Sequence, residues 1–275
     1  MKIIQLSSAC CISSATRKSL KYQLKIQGYD LDGFKNNSPK IKQEFFRKEN
    51  NPLYKVGDTE QDLCLKTTKL INNFIGKINP NIITKCNPKL FIRKMHDNGC
   101  QFINIYRYNT LDRVLCMVRD FSENAFKERS MYRVKDNKTK FKDWRESDAR
   151  KNLHIAITIE KILNNIKDYN SLNYRMLELF DAEEIPIYSV LSEELIGHQS
   201  SFHLSNARTS ISKYIEIFKF LKIEYDEKIL RESILSQCGM RESQYRHNDL
   251  NFKNFKNDDL KLMLVKAGFG GYWRD

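Results

Sequence analysis

The first residues of the chain, MKIIQLSSACCISSATRKSLKYQLKIQG (residues 1–28), decide how the rest of the sequence is interpreted. A short apolar run from Ile3 to Leu6 ends at a stretch made almost entirely of Ser, Ala, Cys and Thr, and a basic amphipathic segment follows. A buried parallel strand, a turn of small residues and a helix whose free N–H groups bind an oxyanion would give this pattern. The segment therefore predicts the start of an α/β protein, with its first strand at Lys2–Ser7.

A secretory signal peptide is the alternative interpretation of the same residues. Lys2, the apolar stretch and Ser14-Ala15 imitate the three regions of such a peptide. The apolar region is diluted, however, by one glutamine and four serines: Gln5, Ser7, Ser8, Ser13 and Ser14. Leu6 also lies one residue too far from Cys10 for a lipoprotein signal. We therefore expect a strand, and a protein that is not exported.

Length and cysteine usage narrow the class of protein. The chain has 275 residues, which is enough for one large α/β domain or, equally, for two small ones. It has no run of about 18 apolar residues, so the sequence predicts no membrane span. Its seven cysteines and five histidines form no Cys-x-x-Cys pair and no cluster with zinc-ligand spacing. From this scatter we expect no bound metal, buried free thiols and a reducing, cytoplasmic location.

The formal net charge of +13 indicates an anionic partner. A phosphorylated or sulfated small ligand suits this charge as well as nucleic acid does. The basic residues are spread along the chain and form no basic cluster interleaved with aromatic residues, as single-strand binders have. This distribution disfavours nucleic acid as the partner.

Hydrophobic period and turn residues predict strands that alternate with helices. The predicted strands are Lys2–Ser7, Ile82–Lys85, Phe102–Arg107 and Ile185–Val190. The predicted helices are Thr16–Gln27, Thr59–Ile78, Pro88–Asp97, Thr110–Arg129, 150–181, Ile211–Lys222 and Asp258–Lys266. Residues 29–58 and 130–150 are predicted to be loops, and residues 236–275 a loop-rich C-terminal extension.

Strands separated by crossover helices predict a parallel sheet flanked by helices. Ligands of such sheets bind beyond the carboxyl ends of the strands. We therefore expect three segments to lie at one edge: the loop Ser8–Thr16, the segment Arg107–Asn109 and the residues just after Lys85.

The loop after the first strand has the composition of an anion-binding turn, although it is not a Walker A motif because it has no Gly-Lys-Ser/Thr ending. Small side chains permit close approach of the backbone, and Ser13, Ser14 and Thr16 add hydroxyl groups. Arg17 and Lys18 lie in the first helical turn, next to N–H groups without an intrahelical partner. A serine-rich turn with ordinary helix caps is the alternative.

The segment INIYRYNTLDRVLC (residues 103–116) offers a second anion site. Arg107 and Asn109 come at the end of a predicted strand, and Asn109 or Thr110 is predicted to cap the next helix. Cys116 lies about two turns further along that helix, on a similar face. A guanidinium with a small polar side chain can hold a phosphate. In the alternative interpretation Arg107 pairs with a surface carboxylate and Cys116 is a core residue.

These segments, in this order and at this spacing, resemble the carbohydrate sulfotransferases that use 3′-phosphoadenylyl sulfate, and in particular the bacterial branch that includes nodulation-factor sulfotransferases. The resemblance runs from the N-terminal strand and serine turn through NIITKCNPKLFIRKMHDNGCQFINIYRYNTLDRVLCMVRD (residues 81–120). It continues through IPIYSVLSEELIG, similar to a "Y-E-D-L" junction of that family, and SISKYIEIFKFLKIEYDEK. It implies a single P-loop-like domain over residues 1–275, with a central parallel sheet between layers of helices.

The resemblance also implies roles for individual residues. The 5′-phosphosulfate of the donor would be held by the loop and first helical turn: Ser13, Ser14, Ala15, Thr16, Arg17 and Lys18. The 3′-phosphate would be held by Arg107, Asn109 and Cys116. The loop departs from the family's Arg-Ser-Gly-Ser/Thr-Thr pattern, because it has neither the glycine nor the preceding basic residue. Cys116 stands where the family has a serine and is a weaker hydrogen-bond donor.

For the chemistry itself the resemblance implies an acidic base shortly after the first helix, where GYDLDGF places Asp30 and Asp32. Asp32 is the first choice, and a pair of turn-forming aspartates before Gly33 is the alternative. Lys85 is expected to face the cleft. The acceptor would be a small molecule or a glycan, with residues 29–58 and 130–150 on its side. A non-catalytic sulfotransferase-like binding protein and a basic nucleic-acid-binding protein remain open as other classes.

Overall fold

A computed structural model describes residues 1–8, 16–17, 20–21, 23–24, 53–121, 155–196, 204–238 and 250–273. Its centre is a sheet of four parallel strands: β1 (Lys2–Leu6), β2 (Phe74–Ile78), β3 (Cys100–Tyr106) and β4 (Ile187–Leu191). The strand order is β2-β1-β3-β4, so β1 pairs on both sides, with β2 and with β3. The prediction of an α/β protein built on a parallel sheet is confirmed.

Nine helices within these ranges complete the described structure. They are α1 (Glu60–Leu70), α2 (Pro80–Ile83), α3 (Pro88–Asp97), α4 (Thr110–Phe121), α5 (Ile159–Ala182), α6 (Ser192–Ile196), α7 (Leu204–Phe220), α8 (Glu227–Cys238) and α9 (Asn257–Lys266), with a 3₁₀ turn at Gly270–Tyr272. The described residues between 16 and 24 are also helical, as predicted for the segment after β1.

The prediction was wrong between residues 59 and 85. The expected helix Thr59–Ile78 ends at Leu70, and strand β2 follows it. The expected strand Ile82–Lys85 is instead the end of α2 and the turn after it. The physical reason lies at Asn79 and Pro80: the Asn79 side chain accepts the Asn81 N–H, and Pro80 takes the first helical position, where its missing donor costs nothing. Pro80 therefore starts a helix rather than ending one.

The other boundaries differ by smaller amounts. Helix α5 starts at Ile159 rather than near residue 150, and β4 is shifted by one or two residues from the predicted Ile185–Val190. Helix α8 was not predicted. The predicted loop at 130–150, most of the loop at 29–58, and the end of the helix Thr110–Arg129 lie outside the described residues.

The chain divides into two compact units. The first consists of Met1–Tyr108 and Leu172–Glu242 and holds the whole described sheet, and the second consists of Asn109–Ser171 and Ser243–Asp275. The expectation of one sulfotransferase-like domain stays a prediction. None of the helices in the described ranges is both long enough and apolar enough to cross a bilayer.

Each unit has its own apolar core. In the first unit, one face of the sheet presents Ile4, Leu6, Phe74 and Phe102, which pack with buried residues of α1, α3 and the C-terminal part of α5. In the second unit, one face of α4 packs with the N-terminal part of α5 and with α9; the buried residues include Leu111, Leu115, Ile162, Ile166, Leu260 and Leu264. Helix α5 thus contributes residues to both cores.

Phe102 provides a test of the first core. Its side chain is fully buried and its ring meets that of Phe180 edge to face, with centroids 4.9 Å apart. We expect Phe102→Ala to lower the free energy of unfolding by about 3–5 kcal/mol, because it removes this contact and leaves a cavity. Urea denaturation measures the change. Leu70→Ala, at a position 62% exposed, is the control and should change it by less than about 0.5 kcal/mol; equal losses would contradict the assigned core.

Candidate functional site

The carboxyl ends of the four strands lie at one edge of the sheet because all the strands are parallel. The chain leaves these ends at Ser7, Asn79, Arg107 and Ser192. From β1 the chain moves outward to β2 on one side, and then crosses to β3 on the other. The topological switch point therefore lies between β1 and β3, which is where open α/β sheets bind their ligands. Ser7 and Arg107 flank it.

Polar side chains are buried on the β1 side of this point. Ser7 and Ser8 are 1% and 4% exposed, and the Ser7 N–H donates to the Ile78 carbonyl across 3.2 Å. Gln5 Nε2 donates to Ser7 Oγ at 3.4 Å. Within the described part of the chain, Gln5 Oε1 and Thr16 Oγ1 are buried without a hydrogen-bond partner. Buried polar groups nearly always have a partner, so these two atoms indicate a ligand or a water here.

The rest of the expected anion loop is only partly described. Thr16 is fully buried, and burial lowers the pKa of the Arg17 guanidinium. Arginine keeps its charge at neutral pH despite such a shift, so Arg17 places a partly desolvated cation in the segment after β1. The other predicted donor ligands in this loop, Ser13, Ser14, Ala15 and Lys18, and the candidate bases Asp30 and Asp32 lie outside the described residues.

Arg107 lies directly after β3 and is 7% exposed. Its Nε atom is 3.8 Å from Oε1 of Glu193, the second residue of α6. The other carboxylate oxygen of Glu193 accepts two hydrogen bonds, from the Tyr108 N–H at 3.2 Å and from the Ser192 hydroxyl at 3.0 Å. Arg107 therefore pairs with a carboxylate, as in the alternative interpretation of this segment given in the sequence analysis.

The carboxylates after β4 influence a second group at the same edge. Burial, together with Glu194 and Glu193, raises the pKa of Tyr106. Glu194 accepts the Leu191 N–H at 3.1 Å. Sequence reasoning did not select either glutamate as a site residue. The available signal was their position: SEEL begins two residues after the predicted strand Ile185–Val190, close to a strand end, as Ser8 and Arg107 are.

Asn109 and Cys116 belong to the second unit, whereas Arg107 belongs to the first. Of the two predicted caps, Asn109 and Thr110, it is Asn109 that caps α4, because its Oδ1 accepts the Asp112 N–H at 3.0 Å. Its Nδ2 donates to the Tyr272 carbonyl at 2.9 Å. Cys116 is a buried free thiol, 7% exposed, on the same helix. Both ends of the Asn109 amide therefore have structural partners.

Lys85 does not lie at a strand end, because the prediction of a strand at Ile82–Lys85 was wrong. It follows the α2 helix, and its ammonium forms an ion pair with Glu60 at 3.1 Å on the exposed surface. Its backbone carbonyl accepts a hydrogen bond from Gln61. The carboxyl end of β2 is occupied by Asn79, the N-cap of α2. Among the residues the structure describes, no three His, Cys, Asp or Glu side chains converge as metal ligands do.

Comparisons with known proteins do not assign this chain to a family. No protein-family model, no curated protein and no solved structure matches the chain. What defines the molecule is the open parallel α/β sheet, with buried hydroxyls on one side of its switch point and a buried arginine–glutamate pair on the other.

Thiol labelling tests the placement of Cys116. At pH 8 we expect iodoacetamide to modify the exposed Cys86, while Cys64, Cys100 and Cys116 stay unmodified because they are buried. Burial also raises the pKa of Cys64, and that of Cys100 to about 12, so both remain thiols well above neutral pH. Peptide mass spectrometry identifies the labelled sites, and labelling in urea is the control. Fast labelling of Cys116 in the folded protein would contradict its burial.

Proposed function

We propose that this protein is a sulfotransferase that uses 3′-phosphoadenylyl sulfate and transfers the sulfuryl group to a hydroxyl of an acceptor, in the first place a carbohydrate. The observation that carries the proposal is the pairing of two features at the switch point of the sheet. A serine-rich stretch of sequence comes after β1, and a buried arginine follows the neighbouring strand β3. A P-loop-like arrangement of the sheet is part of the same proposal.

In this mechanism the acceptor oxygen attacks sulfur, and the bond between sulfur and the 5′-phosphate oxygen breaks in line. Ser13, Ser14, Thr16 and the backbone around Ala15 hold the phosphosulfate, while Arg17 and Lys18 stabilise the charge that develops on the leaving phosphate. Asp32, or Asp30 in its place, takes the acceptor's proton. Positioning and charge supply most of the rate enhancement, because the protein forms no covalent bond to the substrate.

Arg107 holds the 3′-phosphate in this proposal, and the proposal rests on Arg107 rather than on Asn109 and Cys116. The Asn109 amide already caps α4 and binds the Tyr272 carbonyl. A guanidinium provides a fork of donors that matches phosphate oxygens. The buried Gln5 and Thr16 oxygens support a ligand at the β1 side of the same edge.

A non-catalytic nucleotide- or glycan-binding protein is the second candidate. The loop has no glycine, and Arg107 already contacts a carboxylate. Both features favour weak or altered donor binding. A nucleic-acid-binding protein rests on the net charge alone.

Calorimetry with adenosine 3′,5′-bisphosphate tests the donor site. We expect micromolar binding to the wild-type protein and a loss of about 10- to 100-fold in Arg107→Ala, as removal of a charged hydrogen-bond partner predicts. Arg93→Ala is the matched control, because Arg93 also pairs with a glutamate, Glu183, in the same unit. If Arg107→Ala fails to fold, Arg107→Lys takes its place, because lysine keeps the positive charge but lacks the paired donors of the guanidinium. No binding of the bisphosphate, with salt-steep binding to arbitrary DNA, would refute the proposal.

Transfer of labelled sulfate to a panel of glycans tests the reaction. We expect Asp32→Asn to abolish turnover and to leave bisphosphate binding unchanged, because the carboxylate acts only on the acceptor's proton. Unchanged turnover would remove Asp32 from the mechanism. Donor binding without transfer to any acceptor would favour the non-catalytic candidate.

A further inference from the structure

Glu193 is held against Arg107 by more than the ion pair. One of its carboxylate oxygens faces the guanidinium, and the other is fixed by the Tyr108 N–H and the Ser192 hydroxyl. Its side chain is only 19% exposed. In the described part of the chain, the ion pair and these two hydrogen bonds keep the carboxylate beside Arg107, so it is poorly placed to move into water.

A carboxylate in this position affects any anion that approaches the same arginine. A phosphate within reach of Arg107 comes within a few ångströms of Glu193, and like charges at such a distance repel strongly in a partly buried site. The anion also competes with Glu193 for the positive charge of the guanidinium. Arg107 therefore cannot give its full affinity to an anion while Glu193 stays ionised and in place.

We infer that Glu193 is an internal competitor of the anionic ligand: its carboxylate pairs with Arg107, and an oxyanion binds there only by displacing or outweighing it. The inference rests on the proposed role of Arg107 as a ligand for phosphate. It adds a residue that sets the affinity of the site and selects against weakly charged anions, because only a strongly charged group overcomes the carboxylate.

The variant Glu193→Gln tests this role with little change of shape. Its amide oxygen can still accept the hydrogen bonds from Tyr108 and Ser192, but the negative charge is gone. We expect adenosine 3′,5′-bisphosphate to bind Glu193→Gln about 10-fold more tightly than the wild-type protein in calorimetry. Equal or weaker binding would overturn the inference. If Glu193→Gln does not fold, Glu193→Ala, which also removes the charge, takes its place under the same criterion.

Glu183→Gln is the matched control for net charge. Glu183 belongs to the same unit and is paired with Arg93 at 2.8 Å, so the substitution removes the same charge from an arginine–glutamate pair in which the arginine is 55% exposed. We expect less than about a 2-fold change in bisphosphate affinity. A gain as large as that of Glu193→Gln would show a general charge effect and would overturn the inference.

Two further measurements separate this inference from the proposed function. In an Arg107→Ala background, Glu193→Gln should change the bisphosphate affinity by less than about 2-fold. A 10-fold gain in affinity in that background would show that Glu193 does not act through Arg107.

Inorganic phosphate is the second probe. If Glu193→Gln binds phosphate more tightly than wild type but the bisphosphate no better than phosphate, Glu193 competes as inferred and the nucleotide function fails. If wild type and Glu193→Gln bind the bisphosphate equally well, the function stands and the competitor is refuted.

Discussion

The structure depends on the parallel pairing of β1 with a strand on each side. Lys2–Leu6 is aligned with Phe74–Ile78 on one side and with Cys100–Asn104 on the other, so β1 makes ladder hydrogen bonds in both directions. Ile3, Ile4 and Leu6 are fully buried, which leaves the backbone of this strand no access to water. Unpaired backbone groups in such a place are costly, so the two neighbours are required. Because the pairs are parallel, the same constraint brings the ends of β1 and β3 together.

The chemistry at that edge is a balance between burial and charge. A guanidinium as buried as that of Arg107 needs a counter-charge, since leaving one partner of a buried pair uncompensated costs about 3–5 kcal/mol. Glu193 supplies this counter-charge. An anionic ligand would supply it in the bound state. In the inference drawn above, the same carboxylate stabilises the fold and weakens anion binding, and both effects come from its negative charge.

Local sequence patterns were sufficient to predict a strand or a helix cap when the pattern lay within that one element. The strands β1 and β3 were predicted within two residues, because each is a run of apolar residues that ends at polar ones. The cap of α4 was narrowed to Asn109 or Thr110 for a similar reason, since a cap needs only a side chain and an N–H three residues on; the structure shows that it is Asn109. Strand β2 was missed. It has five residues with a glycine in the middle, and only its pairing with β1 makes it a strand.

By itself, the sequence determined that the chain forms a parallel α/β sheet and that Arg107 comes at the end of a strand, because hydrophobic period and helix caps act over a few neighbouring residues. Only the tertiary structure decided that β1 lies between β2 and β3, that Lys85 pairs with Glu60 on the surface, and that Arg107 faces a carboxylate 86 residues further along. Such pairings join residues far apart in the chain. They are set by strand order and packing, and no local pattern encodes them.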